Sequence, residues 1–189
     1  MKKCFLLLMF ALLAGVATEA QAQVGVRLGA NYTGFSGSNS NDLSRAWGYH
    51  GGLFYSIPVV EDFFAVQPEV LYSRKGASVG PQDYRIPYID IPVLAKINAG
   101  PLYFEAGPQA SFRVGGVITT DGAPDITIDT DRIQRTTIGY AAGIGFNATQ
   151  AVNIGVRYNG YFTDDVTDNS ANFRQNIFMF TLGFMFSGR

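Results

Sequence analysis

The stretch YIDIPVLAKINAGPLYFEAGPQASF, which runs from Tyr88 to Phe112, decides the fold class of this chain. Apolar and polar residues alternate on both sides of a compact turn signal, Asn98-Ala99-Gly100-Pro101. Such an alternation is typical of extended strands, in which successive side chains point to opposite faces. We therefore expect a hairpin of two long strands, with an apolar face and with charged residues such as Asp90 and Glu105 on the other face.

The composition restricts the class of protein. Of the 189 residues, 47% are hydrophobic, 14% aromatic and only 15% charged, whereas a typical soluble domain has about 25% charged residues. The formal net charge of -1 provides no basic surface for nucleic acid, so we exclude nucleic acid as a partner. The length suits a single domain or a small barrel.

The first 22 residues have the features of a signal peptide. Two lysines precede an apolar run from Phe5 to Ala17, and Ala20 and Ala22 form a small-residue cleavage motif. A transmembrane anchor is the alternative, but this apolar run is short for a bilayer crossing. We expect cleavage after Ala22, which makes 1–22 a signal peptide and 23–189 the mature domain.

The only cysteine, Cys4, lies within this predicted signal peptide, and His50 is the only histidine. The mature chain would then have no disulfide, no thiolate nucleophile and no cysteine or histidine cluster for a metal, so we predict no cofactor. A serine–histidine–acid site would need a serine beside the histidine. No nucleophile motif surrounds Ser56, Ser73 or Ser111, so we predict no enzymatic activity.

The alternation of Tyr88 to Phe112 recurs until the mature chain contains eight strands. The connections after the first, third, fifth and seventh strands are long and polar, and the others are short. We place the third connection at a loop that carries Arg74, Lys75, Gly80 and Pro81, and the longest loop at about Gly115 to Arg135. Strands of roughly 10 to 12 residues match a tilted bilayer crossing and exceed the usual globular length.

Long loops at one end and tight turns at the other are typical of a bacterial outer-membrane barrel. Backbone groups at membrane depth must all be paired, so the sheet has to close, which would pair Val24–Tyr32 with Phe178–Phe186. We predict an all-β fold, an eight-stranded antiparallel up-and-down transmembrane β-barrel whose apolar face meets outer-membrane lipid. A soluble lipocalin-like barrel or a sandwich is the alternative.

Three prolines, Pro68, Pro92 and Pro108, fall inside the predicted strands. Each proline lacks the N–H group that a strand ladder needs. We expect a local bulge at each of these positions.

Aromatic residues are predicted to form two belts at the membrane interfaces. The belt near the long loops contains Trp47, Tyr49, Tyr72, Tyr84 and Tyr140. The belt near the short turns contains Phe63, Phe64, Phe104, Phe146 and Phe186.

The polar face of the strands predicts what the barrel encloses. Eight strands leave a lumen just wide enough for side chains to fill it, so large charged residues beside glycines favour a packed plug over an open channel. The predicted polar network of the lumen consists of Arg27, His50, Glu69, Asp90, Lys96, Glu105, Arg113 and Arg157, with Asn153 beside them. Within the central hairpin, Lys96 and Glu105 should be diagonal cross-strand neighbours. A path for protons or a small solute is the alternative, because charges within membranes are often functional.

The exposed loops, above all Gly115 to Arg135, are where we expect a protein or surface ligand to bind, since loops on a rigid scaffold usually carry binding. Aspartates occur in this loop from Asp121 to Asp131, and Asp129 and Asp131 have a spacing that suits calcium. Solvation alone also explains an acidic loop, and no glutamate completes a known calcium motif. We therefore predict no metal site, with calcium at this loop as an open alternative.

Four segments resemble the PorT-like outer-membrane β-barrel proteins of the Bacteroidota, which are often catalogued as "porin family". These segments are YIDIPVLAK (Tyr88 to Lys96), LYFEAGPQASF (Leu102 to Phe112), QPEVLYSRKG (Gln67 to Gly76) and FTLGFMF (Phe180 to Phe186). The resemblance implies an eight-stranded barrel in the cell outer membrane, with no catalytic residues. A role in secretion belongs to the namesake of that family. The chain ends Phe186-Ser187-Gly188-Arg189 instead of on an aromatic residue, so its recognition by the barrel-insertion machinery would tolerate an overhang.

The sequence thus predicts a non-enzymatic outer-membrane barrel with a structural or surface-interaction role through its long extracellular loops. A narrow pore or solute conduit, or a secretion accessory, is the alternative function.

Overall fold

The computed structural model describes residues 23–36, 44–79, 82–115, 117–120, 126–127, 136–162 and 174–186. The predicted signal peptide, 1–22, lies outside these residues, as does most of the acidic loop. None of the described residues belongs to a helix long and apolar enough to cross a membrane.

The described chain forms one antiparallel sheet, which eight long strands close into a barrel. Two short strands, β6 and β7, extend the β4 end of the sheet within the predicted longest loop. The strands are β1 (Gln23–Ser36), β2 (Ser44–Val60), β3 (Phe64–Val79), β4 (Gln82–Ala99), β5 (Leu102–Arg113), β6 (Val117–Thr120), β7 (Ile126–Thr127), β8 (Thr136–Asn147), β9 (Val152–Tyr161) and β10 (Arg174–Phe186).

The first and last strands close the barrel. β1 pairs with β10 in one unbroken antiparallel register from Val24 opposite Phe186 to Ser36 opposite Arg174. The remaining long strands pair with their neighbours in chain order. The predicted closed eight-stranded fold is therefore confirmed, and closure leaves no unpaired edge among the eight long strands that the structure describes.

Tight turns join the strands at one end of the barrel. The turn between β4 and β5 places Gly100 at a φ of 63°, a left-handed conformation that glycine adopts readily. Asp62 adopts a φ of 56° in the turn between β2 and β3, and aspartate is one of the few other residues that tolerate it. The start of β1 and the end of β10 lie at this same end.

The third connection differs from the prediction. Because Val79 pairs with Gln82, only residues 80 and 81 separate β3 from β4. Arg74 and Lys75, predicted in a loop, lie within β3 instead, and Lys75 is buried. The predicted strand length was also too short here, since β4 has 18 residues. The inward-facing alternation of Glu69 and Ser73 continues to Lys75, so β3 runs on through both charged residues.

The prolines also differ from the prediction. Pro68 lies opposite Val93 and Pro92 opposite Gln109 without a register shift, and Pro108 pairs regularly with Tyr140. The ladder between β3 and β4 omits the pairs after Pro68, and the ladder between β4 and β5 omits those after Pro92. The missing N–H groups therefore interrupt pairing locally without producing bulges. Register shifts occur in the β2–β3 ladder instead, at Arg45/Tyr49 and Pro58/Val60.

Burial separates the two faces of the barrel wall. In β5 and β8 burial changes almost residue by residue, which is the pattern of a strand with one face outward. The outward face exposes large apolar side chains such as Leu28, Leu53, Ile144 and Ile154. In the outer membrane this face meets lipid, and the packed interior of the protein is the lumen.

Aromatic side chains are exposed at both ends of this outward face. Near the loops these are Trp47, Tyr49, Tyr72 and Tyr140; near the turns they are Phe63, Phe104, Phe146 and Phe186. Phe64 is half-buried, and the side chain of Tyr84 lies outside the described part.

Candidate functional site

The strand register brings most of the predicted polar residues into the lumen. Those with buried side chains are Arg27, His50, Glu69, Asp90, Lys96, Glu105 and Arg157, together with Asn153. Arg113 differs, because it lies half-buried at the loop end of β5. Most of the buried residues belong to three groups, each held by its own polar contacts.

Four charged residues, Arg27, Glu69, Glu105 and Arg157, form the central group, here called the charge quartet. Arg27 Nη1 lies 2.7 Å from Glu69 Oε1 and 3.5 Å from Glu105 Oε2. Arg157 lies 2.9 Å from Glu69 Oε2 through Nη1 and 2.7 Å from Glu105 Oε1 through Nη2. Each arginine therefore contacts both glutamates, and the four formal charges sum to zero.

The position of the quartet in the wall explains why it fills the lumen. Its members come from β1, β3, β5 and β9, which are alternate strands of the eight around the barrel. Side chains from alternate strands meet at the axis in a layer across a small barrel. All four side chains are at most 2% exposed. The quartet therefore occupies the cross-section of the lumen.

Further contacts fix the orientation of the quartet. Gln67 donates a hydrogen bond of 2.7 Å from Nε2 to Glu69 Oε1, and Arg157 Nε donates one of 2.8 Å to Glu105 Oε1. Arg27 also lies over the Phe54 ring, with its Cζ 5.3 Å from the centroid. Buried charges are tolerated when they are paired and hydrogen-bonded in this way.

Lys96 is placed beside the quartet but contacts an aromatic ring. It lies directly opposite Glu105 in the β4–β5 ladder, not diagonally as predicted. Its Nζ is 4.2 Å from the centroid of the Tyr103 ring. An ammonium over a ring face is stabilised by the ring quadrupole, so Tyr103 holds this cation.

A second group, the loop-side cluster, lies nearer the long loops and centres on Lys75. Lys75 Nζ donates hydrogen bonds of 2.7 Å to Asp90 Oδ1 and of 2.7 Å to Tyr161 Oη. Ser111 Oγ donates to the same Asp90 oxygen, and Gln109 Nε2 donates to Tyr161 Oη at 2.8 Å. Asp90 therefore does not join the quartet but pairs with a lysine from the adjacent strand.

Sequence reasoning missed Lys75 and Tyr161 as lumen residues. The signal for Lys75 was present, because Ser73 and Lys75 continue the inward-facing alternation of Glu69. The signal for Tyr161 was present as well, because Arg157, Asn159 and Tyr161 alternate in the same way at the end of β9.

His50 belongs to a third group. Its Nδ1 lies 2.7 Å from Asn31 Oδ1, and Asn31 Nδ2 donates a 2.9 Å hydrogen bond to Ser73 Oγ. An amide thus separates the histidine from the serine, and Ser111 belongs to the loop-side cluster instead. Both serines are fully buried. The arrangement of a serine nucleophile activated by histidine is not formed at either of them.

Glycines provide the space for the large lumen side chains. The Tyr103 ring packs against Gly145, and a Cβ atom at that position would overlap the ring. Gly155 faces the hydroxyl group of the same tyrosine. Because Tyr103 is fully buried, its ring cannot move into solvent to make room.

We expect Gly145→Ala to lower the free energy of unfolding by about 1–3 kcal/mol, the usual cost of overpacking a core. Gly51→Ala is the matched control, because the nearest atom to its added Cβ is the carbonyl oxygen of Arg27 at 3.9 Å. Urea unfolding of both variants in lipid vesicles measures the difference. Equal stability of the two variants would show that Tyr103 is not tightly packed.

Among the described residues, no group of three or more histidine, cysteine, aspartate or glutamate side chains is arranged to hold a metal ion. The aspartates of the Asp121 to Asp131 loop lie outside the described part of the chain. Calcium binding at that loop stays a hypothesis.

Comparison with known proteins agrees with this geometry. A family described as "Outer membrane protein beta-barrel domain" matches residues 17–164. No curated protein matches the chain.

Solved outer-membrane proteins have a similar fold. Neisserial surface protein A (NspA) has a TM-score of 0.58 at 20% identity, with 87% of this chain and 99% of that chain covered. Ail, the attachment invasion locus protein of Yersinia pestis, has a TM-score of 0.54 at 15% identity, with 88% and 99% covered. A second Ail structure, in complex with the heparin analogue sucrose octasulfate, has a TM-score of 0.53 at 13% identity, with 88% and 99% covered. At sequence identities this low, the similarity to these structures shows that the fold is shared.

Proposed function

This chain belongs to the outer membrane protein beta-barrel domain family, and from that premise we propose that it is a closed, non-enzymatic scaffold that presents its long loops at the cell surface. The observation that carries the proposal is the charge quartet, which fills the lumen with paired side chains from alternate strands. A barrel plugged in this way has its loops, not its interior, available for a partner.

Polar contacts across the lumen make the barrel wall rigid. The quartet lies in the same enclosed space as the loop-side cluster, so polar contacts cross the barrel at more than one height. Such contacts between distant strands hold the wall in one shape. A rigid wall is what positions loops for binding.

The absence of an enzymatic role is part of the proposal. Three lumen side chains that carry a hydroxyl or amino group, Ser111, Lys75 and Tyr161, are hydrogen-bonded to one another and at most 5% exposed. A substrate would have to displace the packed lumen to reach them. We therefore assign this cluster a structural role.

The charge of the loops indicates the chemistry of the partner. Residues 115–135 contain four aspartates and two arginines, and residues 163–173 contain three aspartates and no basic residue. Ail has been crystallised with a heparin analogue, but acidic loops on this chain favour a neutral or basic partner over a polyanion. The narrower assignment to PorT-like proteins, and with it a secretion accessory role, stays a proposal without further support.

Single cysteines test the surface role, because the sequence has no cysteine after Cys4. Gly122→Cys places a thiol in the predicted longest loop, and Glu61→Cys is the control in the exposed β2–β3 turn. A membrane-impermeant maleimide should label Gly122→Cys on intact cells and Glu61→Cys only after the outer membrane is permeabilised. The reverse pattern would contradict the proposed orientation.

The interaction itself is tested with the same two variants. A photo-cross-linking maleimide attached at position 122 should give a discrete adduct on intact cells that the label at position 61 does not give. Wild type controls for background labelling. The absence of a discrete adduct from position 122 would contradict a surface-interaction role through the longest loop.

A further inference from the structure

Two arginines, Arg45 on β2 and Arg74 on β3, face outward at the loop end of the barrel. Arg45 Cζ lies 5.4 Å from the centroid of the Tyr32 ring and 5.9 Å from that of Phe178. Arg74 Cζ lies 5.9 Å from the centroid of the Tyr49 ring. Both guanidinium groups thus lie on aromatic side chains of the outward face, within the aromatic belt that marks the interface.

Carboxylates with described side chains are located elsewhere. Glu69, Asp90 and Glu105 are buried in the lumen, and Glu61 and Asp62 lie in the turn at the opposite end. Among the side chains that the structure describes, the two arginines therefore lie on rings and not beside carboxylates. Their charge is left available to an anion that reaches the outer surface of the wall.

From this arrangement we propose that Arg45 and Arg74 form a binding site for the phosphate groups of outer-leaflet lipid headgroups. The loop end of such a barrel lies in the outer leaflet. The planar guanidinium group binds phosphate through two parallel hydrogen bonds, and the aromatic rings beneath it lie at headgroup depth. This site is independent of whether the lumen conducts.

The spacing of the two arginines restricts the ligand. Arg74 lies opposite Tyr49 in the β2–β3 ladder, and Tyr49 lies four residues from Arg45 along β2, so the backbone positions of the two arginines are about 13 Å apart at 3.3 Å per residue. Each guanidinium group also lies over aromatic rings of its own, so the two arginines offer separate contacts for phosphate. The face therefore matches a headgroup with more than one phosphate, or two neighbouring headgroups with one phosphate each.

Trp47 provides a direct reporter for this site. It is the only tryptophan of the chain, its side chain is 66% exposed, and its ring centroid is 4.9 Å from that of Tyr32, which lies beneath Arg45. A quencher on a lipid bound at Arg45 would come within contact range of this indole.

The experiment measures quenching of Trp47 in the refolded protein by brominated lipids in neutral phosphatidylcholine bilayers. Brominated phosphatidylglycerol and a brominated bis-phosphate lipid should both quench more strongly than brominated phosphatidylcholine. Arg45→Gln and Arg74→Gln should each lower the relative association constant of the anionic lipid about fivefold, because each arginine near a surface contributes about 1 kcal/mol. Arg45→Lys should retain most of the preference, and Arg132→Gln, which removes the same charge from a loop, should not change it.

Several outcomes would overturn the proposal. Equal quenching by anionic and neutral lipids would do so, as would arginine variants that quench like wild type. Full competition by millimolar inorganic phosphate would assign the site to a free anion instead of a lipid. Gel mobility before and after heating shows whether each variant is folded. If an arginine variant does not fold, wild type alone provides the test. Its preference for anionic lipid must then fall with added salt, because salt screens charges near the surface, and a salt-independent preference overturns the proposal.

Discussion

Replacing Arg157 by methionine should lower the free energy of unfolding of the refolded barrel by about 3–5 kcal/mol, the cost of removing one partner from a buried ion pair. Arg157 contacts both glutamates of the charge quartet, and its side chain is fully buried. Methionine keeps most of the side-chain volume, so the loss of stability reflects the missing charge and not a cavity. After the change, Arg27 is left to balance both Glu69 and Glu105.

The double variant Arg157→Met/Glu105→Gln is the control, because it removes one negative charge together with the positive one. Its loss in free energy of unfolding should be about 1–3 kcal/mol smaller than the summed losses of Arg157→Met and Glu105→Gln, which is the coupling expected for residues in contact. Urea unfolding in lipid vesicles, followed by Trp47 fluorescence, measures all three variants. A loss for Arg157→Met of only about 0.5 kcal/mol, as for an ordinary surface substitution, would show that the quartet is not formed.

Replacing Leu28 by arginine should lower the free energy of unfolding in lipid by about 2–4 kcal/mol, the cost of a basic residue on the lipid face at the bilayer midplane. Leu28 is 47% exposed on the outward face. It lies four residues from Val24 at the turn end and four from Tyr32 at the loop end, opposite Leu182 and Gly51. This position places it at the middle of the membrane-spanning part of β1.

Val24→Arg is the matched control, because Val24 is 46% exposed but lies at the turn end, opposite Phe186. Its expected loss is about 0–1 kcal/mol, since the penalty for a charge falls towards the interface. Equal losses at the two positions would contradict the depth assigned to them. Equal stability of Leu28→Arg in detergent and in lipid would contradict its contact with lipid.

The fold could be predicted from the sequence because lipid imposes a simple rule on every strand. Each outward position in the hydrocarbon region must be apolar, so the alternation from Ile89 to Ile97 recurs around the barrel. Closure between β1 and β10 followed from the even number of strands and the need to pair every edge. These are local and general constraints, and a single chain displays them.

The partners within the lumen could not be predicted in the same way. Alternation shows that Asp90 points inward, but which cation it meets depends on the register of β3 against β4 and on the length of both strands. The assignment of Lys75 to a loop ended β3 too early and removed the partner of Asp90. The quartet depends on which alternate strands meet at one height, and this is set by the tilt of the whole barrel.

The closed lumen is tested most directly by single-channel recording of the purified wild-type protein in planar lipid bilayers. A lumen filled by the charge quartet predicts no steady channel currents, although the protein recovered from the bilayer still shows the heat-dependent gel mobility of a folded barrel. Large, steady unitary currents from the folded protein would contradict the packed lumen and would favour the alternative of a solute conduit.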